Sequence, residues 1–182
     1  MTLRVLVLLA PGFEEIEVTC PVNLLRRAEA DVIMASTGDD LLVTGRSQIT
    51  LGADCFLSEV IDQSFDLLVL PGGPAVFILR EKPRILDLIR RLHFDKVPVG
   101  AICAAPLLLL DAGILEEGVA YTAHSSTQEE LPNLDPKHDT LVSGHIITSR
   151  GAGTALSFGL ALVEQLFGPE KAHEIKASIH AS

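Results

Sequence analysis

Residues 99–110 read VGAICAAPLLLL, and Cys103 is the one side chain among them able to act as a nucleophile. An apolar run precedes it and a leucine run follows, the pattern of a strand that turns directly into a helix. A helix N-terminus gathers unpaired N–H groups and the positive end of the helix dipole. Both stabilise a thiolate, the reactive form of cysteine. Gly100, Ala101, Ala104 and Ala105 are small enough to permit a sharp corner and the approach of a substrate. The Ala104 N–H, paired with one from the Gly72-Gly73 turn, is placed to hold an oxyanion. An inert buried thiol fits the same stretch equally well.

The remaining chemistry-bearing residues narrow the options. Cys20, Cys55 and Cys103 are an odd number without C-x-x-C spacing, which argues against a disulfide framework or a zinc site and fits a reducing cytoplasm. His93, His138, His145, His173 and His180 show no ligand spacing, so no metal is expected. RGAGTAL at 150–156 mimics a dinucleotide fingerprint but has Leu156 where the third glycine belongs. PGGPA at 71–75 is too short for a phosphate loop. No cofactor is expected. A glutaminase triad would need a His-x-Glu pair, and His173-Glu174 are adjacent instead.

These residues have to be positioned by the elements around them. LRVLVLL (3–9), DVIMAS (31–36), DLLVLPGG (66–73) and VPVGAI (97–102) read as buried strands, and VAYTA (119–123) and DTLVSGHIITS (139–149) as further strand candidates. LLVTGRSQITL (41–51) reads as a hairpin turning near Gly45. Helical spacing of apolar residues predicts helices over 14–30, 82–93, 105–112, 153–167 and 169–178, with Gly113 closing the third. Strands that are apolar on both faces, separated by helices, imply a mostly parallel, doubly wound α/β sheet. One domain over residues 1–182 is expected. Ligands bind beyond the carboxyl ends of such strands. PGFEEIE, PGG, Cys103 and His124 all fall there.

Composition removes other classes. Hydrophobic residues make up 48% and charged residues 21%, which suits a packed core. The net charge is −10 with no basic stripe, so neither nucleic acid nor an anionic membrane surface is an expected partner. The apolar stretch Val97–Leu110 is interrupted by Pro98, Gly100 and Pro106, so no membrane span is expected. The apolar segment Val5–Ala10 is too short for a signal peptide.

LAPGFEEIE (9–17), PVNLLRRA (21–28), LVLPGG (68–73), AICAAP (101–106) and TSRGAGTALSFGLALVE (148–164) together resemble the ThiJ/PfpI superfamily, in the branch of the parkinsonism-associated protein deglycase and its bacterial homologues. The resemblance spans nearly the whole chain in family order. It implies a flavodoxin-like fold, a homodimer, and Cys103 as nucleophile on a strained elbow, with Glu17 facing the thiol. A carboxylic acid shielded from water has a raised pKa and can shuttle a proton beside the sulfur. Glu14 and Glu15 are expected to stay solvated as an acidic first helical turn. The resemblance also places His124 near the cysteine, although Ser125 stands where the family often has proline. Arg46 matches a family arginine near the pocket and dimer interface, and an exposed hairpin charge is the other reading. Ser149, Arg150 and Gly151 are expected at the pocket rim. Ala104 stands where the protease branch has histidine, which argues against a peptidase.

Two functions use the same residues. One is a cofactor-independent glyoxalase or deglycase acting on methylglyoxal, glyoxal or early glycation adducts. The other is a redox-sensing stress chaperone whose cysteine oxidises to a sulfinate. A scaffold dimer with an incidental cysteine is the third.

Overall fold

The apolar runs pair as their composition requires. β1 (Arg4–Leu9), β2 (Asp31–Ser36), β5 (Cys55–Phe56), β6 (Leu67–Leu70), β7 (Val99–Ile102), β9 (Ile146–Ser149) and β8 (Thr140–Ser143) form one seven-stranded sheet in the order β5-β2-β1-β6-β7-β9-β8. The computed structural model describes residues 2–181. All neighbours are parallel except β8 and β9, an antiparallel pair at one edge. β6 and β7 are buried along their whole length, and β1 is buried after Arg4. β3 (Leu42–Thr44) and β4 (Thr50–Gly52) form the separate hairpin, with the turn beginning at Gly45.

Strands buried on both faces need helical cover on both. α1 (Glu15–Arg27), α6 (Ala155–Phe167) and α7 (Pro169–Ser178) pack together as one layer. α3 (Ala75–Arg80), α4 (Pro83–Phe94) and α5 (Pro106–Asp111) form the other, and the short α2 (Leu57–Val60) packs beside β5. The fold is therefore the flavodoxin-like α/β arrangement expected.

The small residue at Gly100 has a packing cause. A Cβ there would lie 2.7 Å from Leu162 Cδ2 and 3.0 Å from Phe158 Cζ, so β7 must lack a side chain for α6 to seat. Gly100 thus serves the core rather than access to the thiol.

One local expectation changes, and three short elements are added. Residues 119–123 are not a strand, because β9 already has β7 on one edge and β8 on the other. The Thr122 N–H is left to the Thr148 side chain, at 2.9 Å from Oγ1. Residues 75–80 form α3, whose period is obscured by the exposed Phe77 and Ile78. The short β5 and α2 also escaped the sequence reading, since each is too brief to develop a period.

Candidate active site

β7 ends at Ile102, and the chain turns at Cys103 with φ +65°. A non-glycine residue in this left-handed region is strained and persists only where its surroundings hold it. They do so here on both sides. The Cys103 N–H donates to Ser149 O at 2.9 Å, and Cys103 O accepts the His124 N–H at 2.8 Å. The elbow expected from the sequence is thus locked between β9 and the segment before His124.

The N–H groups of Gly73 and Ala104 both donate toward the Cys103 sulfur. They favour a thiolate, but burial and the adjacent Glu17 carboxylate oppose it and push the thiol up to about 12. This is opposite to the shift that a helix N-terminus alone would produce. α5 is only six residues long and begins at Pro106, so its dipole is weak, and partial burial of the sulfur outweighs it.

Glu17 is fully buried. Its Oε2 accepts the Gly72 N–H at 2.8 Å, while Oε1 is buried without a hydrogen-bond partner. Burial raises its pKa to about 7, against the lowering effects of the Gly72 N–H and of the hydrogen bond with Cys103. Near neutral pH the thiol therefore keeps its proton, while the Glu17 carboxyl beside it is poised between its two protonation states. Gly72 is committed to Glu17 and so does not supply the oxyanion N–H expected of it, leaving Gly73 in that position. A Cβ on Gly72 would lie 2.6 Å from both Cys103 Cβ and Glu17 Oε2, which is why glycine stands there.

The other acidic residues are not solvated. Glu14 caps α1, with Oε2 accepting the Glu17 N–H at 2.9 Å. Glu15 is buried, and its Oε1 accepts N–H groups of Ser47 at 2.7 Å and Ile49 at 3.3 Å. Because the helix starts at Glu15, its 100° step turns Ile16 to solvent instead, at 53% exposure.

His124 is exposed beside the elbow. Its Nδ1 accepts the Ser126 N–H at 3.2 Å and lies 2.8 Å from Ser126 Oγ, which assigns the ring proton to Nε2. Gly151 closes the corner. A Cβ there would stand 3.6 Å from His124 Cδ2, 3.8 Å from Glu17 Oε1 and 3.9 Å from Cys103 Sγ. Three side chains singled out in the sequence thus meet at one point. Arg46 is brought only partly in: its N–H donates to Phe13 O at 2.9 Å, its side chain is exposed, and its charge favours the ionised form of Glu17. Cys20 and Cys55 are free thiols, pushed up by burial, and join none of this.

Arg80 escaped the sequence reading. Its guanidinium donates to both carboxylate oxygens of Asp111, at 2.6 and 3.0 Å, and to both of Glu130, at 2.9 and 2.6 Å. This fork ties α3 and α5, which flank the elbow, to the segment after His124. No local spacing announces it, since its partners lie 31 and 50 residues away.

Several cavities open at the carboxyl rim. An open cleft of about 590 Å³ is walled by His124, Arg150, Gly151 and Gly153. Another of about 450 Å³ lies between Thr37, Phe56, Lys82 and Arg84 and touches none of the converging side chains. Among the described residues, no three His, Cys, Asp or Glu side chains are grouped to hold a metal, and no helix is long and apolar enough to cross a membrane.

A buried glutamate, a strained cysteine elbow and a parallel sheet define a class, and comparison with known proteins identifies it. Residues 3–165 match the DJ-1/PfpI family, and the chain belongs to that family. It is 38% identical over 178 residues to protein DJ-1 homolog A of Arabidopsis thaliana, covering 96% of this chain and 45% of that protein, so it spans under half the length of this relative. It is 34% identical to the glutathione-independent glyoxalase DJR-1.2 of Caenorhabditis elegans, covering 93% of this chain and 92% of that one. The crystal structure of Drosophila melanogaster DJ-1beta superposes with a TM-score of 0.95 at 33% identity, with both chains covered completely.

Proposed function

We propose that the protein is a cofactor-independent glyoxalase or deglycase in which Cys103 is the nucleophile and Glu17 the proton carrier. The observation that carries this reading is the unpartnered Glu17 Oε1 facing the same corner as the Cys103 sulfur. A carboxyl group with a pKa of about 7 both gives and takes a proton near neutrality. The name of the Caenorhabditis relative supports the same chemistry.

On methylglyoxal, the sulfur bonds to the aldehyde carbon as its proton leaves to Glu17. The carbonyl π pair moves onto oxygen, held by the Gly73 and Ala104 N–H groups, and Glu17 returns the proton there to give a hemithioacetal. Glu17 then removes the proton from the sulfur-bearing carbon and delivers it to the neighbouring carbonyl carbon, through an enediol. The first carbon is oxidised to a thioester and the second reduced to an alcohol, so no external electrons are needed. Water cleaves the thioester to the 2-hydroxy acid and restores the thiol. His124, with its N–H at Nε2, lines the entrance.

A redox-sensing stress role is the second reading. It is favoured by the same two N–H groups, which would hold the oxygens of a sulfinate formed by peroxide. The glyoxalase name of the Caenorhabditis relative supports the first reading and places this one second. A homodimer is also proposed, supported by the exposed apolar side chains of Ile16, Ile49 and Leu156, and a cytoplasmic location, supported by the free thiols of Cys20, Cys55 and Cys103.

The test is glutathione-independent conversion of methylglyoxal to lactate. Cys103→Ser is expected to lower turnover at least a thousandfold. A variant that retains full turnover would remove Cys103 from the mechanism.

A further inference from the structure

The cleft beside His124 is larger than a three-carbon oxoaldehyde requires. At about 590 Å³ it falls in the range of about 300–1,000 Å³ that holds drug-sized ligands. It opens where the site converges. His124 and Gly151 wall it, and a Cβ at Gly151 would stand within 4 Å of the Cys103 sulfur. Gly151, which has no side chain, is thus a thin wall shared by the cleft and the corner that holds the sulfur.

The lining has a definite chemistry. Leu134, Pro136 and Ala152 supply apolar surface. Asp139 and Arg150 supply one charge of each sign, 3.2 Å apart and both half-exposed. An ion pair this exposed contributes little to stability, so its groups can be recruited by a ligand at small cost. Gly153 adds bare backbone, and a Cβ there would meet nothing within 4 Å.

We propose that this cleft is a second subsite, which takes the zwitterionic end of an amino acid whose side-chain amine or thiol has captured an α-oxoaldehyde. The proposal rests on the aldehyde chemistry assigned to Cys103. The ammonium lies against Asp139 and the carboxylate against Arg150, while the aliphatic stem runs past Gly151 to the sulfur. On an amine adduct, the sulfur–carbon bond forms as the carbon–nitrogen bond breaks. The thiol proton passes through Glu17 to the departing amine, and the hemithioacetal then reacts as before. Asp139, Arg150 and Gly153 determine specificity without touching the reacting carbon.

The test uses a stable analogue, N6-(1-carboxyethyl)lysine, and reads its protection of Cys103 from iodoacetamide by peptide mass, which needs no turnover. Half-protection is expected at a concentration at least tenfold below that of lactate. Nα-acetylation or amidation of the α-carboxylate should each forfeit most of the gain. Gly153→Phe, whose ring would occupy open space in the cleft, should raise the half-protecting concentration about tenfold, and Arg150→Ala about fivefold. An analogue that protects no better than lactate, or equally well in both variants with unchanged thermal midpoints, overturns the subsite. Methylglyoxal turnover is measured in parallel. If turnover is absent while variant-sensitive protection persists, the reaction assignment fails and the subsite stands. If turnover is present without protection, the subsite alone fails.

Discussion

Glu15 and Glu17 stand two residues apart on the first turn of α1, both buried, and their seats differ in one respect. Under the hairpin, Glu15 is pushed up by burial, but the N–H groups of its own residue, Ser47 and Ile49 outweigh that and hold it below the usual carboxylate range. Beside the elbow, Glu17 has a single backbone donor, Gly72, and burial wins. Burial alone therefore does not set the role of a carboxylate. The number of donors aimed at it decides whether it is a fixed strut or a mobile proton carrier. Each seat also needs a glycine opposite: a Cβ on Gly45 would lie 2.5 Å from Glu15 Oε1, and one on Gly72 2.6 Å from Glu17 Oε2.

The largest expected effect breaks the Glu17 seat while keeping its shape. Glu17→Gln removes the proposed proton carrier and should lower methylglyoxal turnover roughly 10²–10⁴-fold, the range for a positioned acid–base group. Glu15→Gln should leave turnover within about threefold, because Glu15 makes no contact with the sulfur. Equal losses in the two variants would end the distinction between strut and carrier.

The two glycines come next. Gly72→Ala presses on the Cys103 Cβ and on the backbone oxygen of Ile102, 3.0 Å away, neither of which can swing aside. It should cost about 1–3 kcal/mol of stability and nearly all activity. Gly45→Ala presses on a side chain that can retreat at the expense of its bonds to Ser47 and Ile49. It should cost about 1–2 kcal/mol and little activity, as read by thermal melts and initial rates.

The same contrast appears in stability against pH, with opposite signs. The folded pKa of Glu17, about 7, lies above its reference value of 4.5. Its contribution is fully present below 4.5 and is lost as pH rises through 7, a loss on the order of 3 kcal/mol. Glu15, held low, contributes above its unfolded pKa and loses that contribution as pH falls through the folded one. Relative to wild type, Glu17→Gln should gain roughly 5–10 °C in thermal midpoint between pH 4.5 and 8. A constant difference across that range would mean that Glu17 is not held protonated by burial.

This contrast was only half legible in the sequence. The parallel sheet was, because strands apolar on both faces have no other cover than helices. The convergence of Cys103, Glu17 and Gly73 was legible because motif and family spacing agree, and that of Ala104 followed from its place beside the cysteine. Glu14 and Glu15 misled, because a charged run at a helix start ordinarily faces water and nothing local reveals that the hairpin, thirty residues on, folds over it. Gly72 was expected to face the substrate; its N–H has one direction, and only the tertiary position of Glu17 fixes which. Arg80 left no trace, since its partners come from two distant segments. The strand expected at 119–123 failed for a related reason: its sequence is strand-like, but β9 has no free edge to offer.

The smallest effect sharpens the comparison most, because it joins the two seats. Glu15 anchors the hairpin that carries Arg46, and the Arg46 charge favours the ionised form of Glu17. Removing that charge should therefore raise the Glu17 pKa further. Arg46→Ala is expected to move the midpoint of the pH–rate profile upward by less than about one pH unit, and less still in high salt, where an exposed charge is screened. The fold should tolerate it, since the hairpin is held through the Arg46 backbone N–H, which alanine keeps. A stability change within about 0.5 kcal/mol is expected for such a surface site. A downward shift would mean that the Arg46 charge does not act on Glu17, whereas an upward one that survives high salt would mean that Arg46 reaches Glu17 by contact rather than through its field, and the hairpin would then belong to the catalytic centre itself.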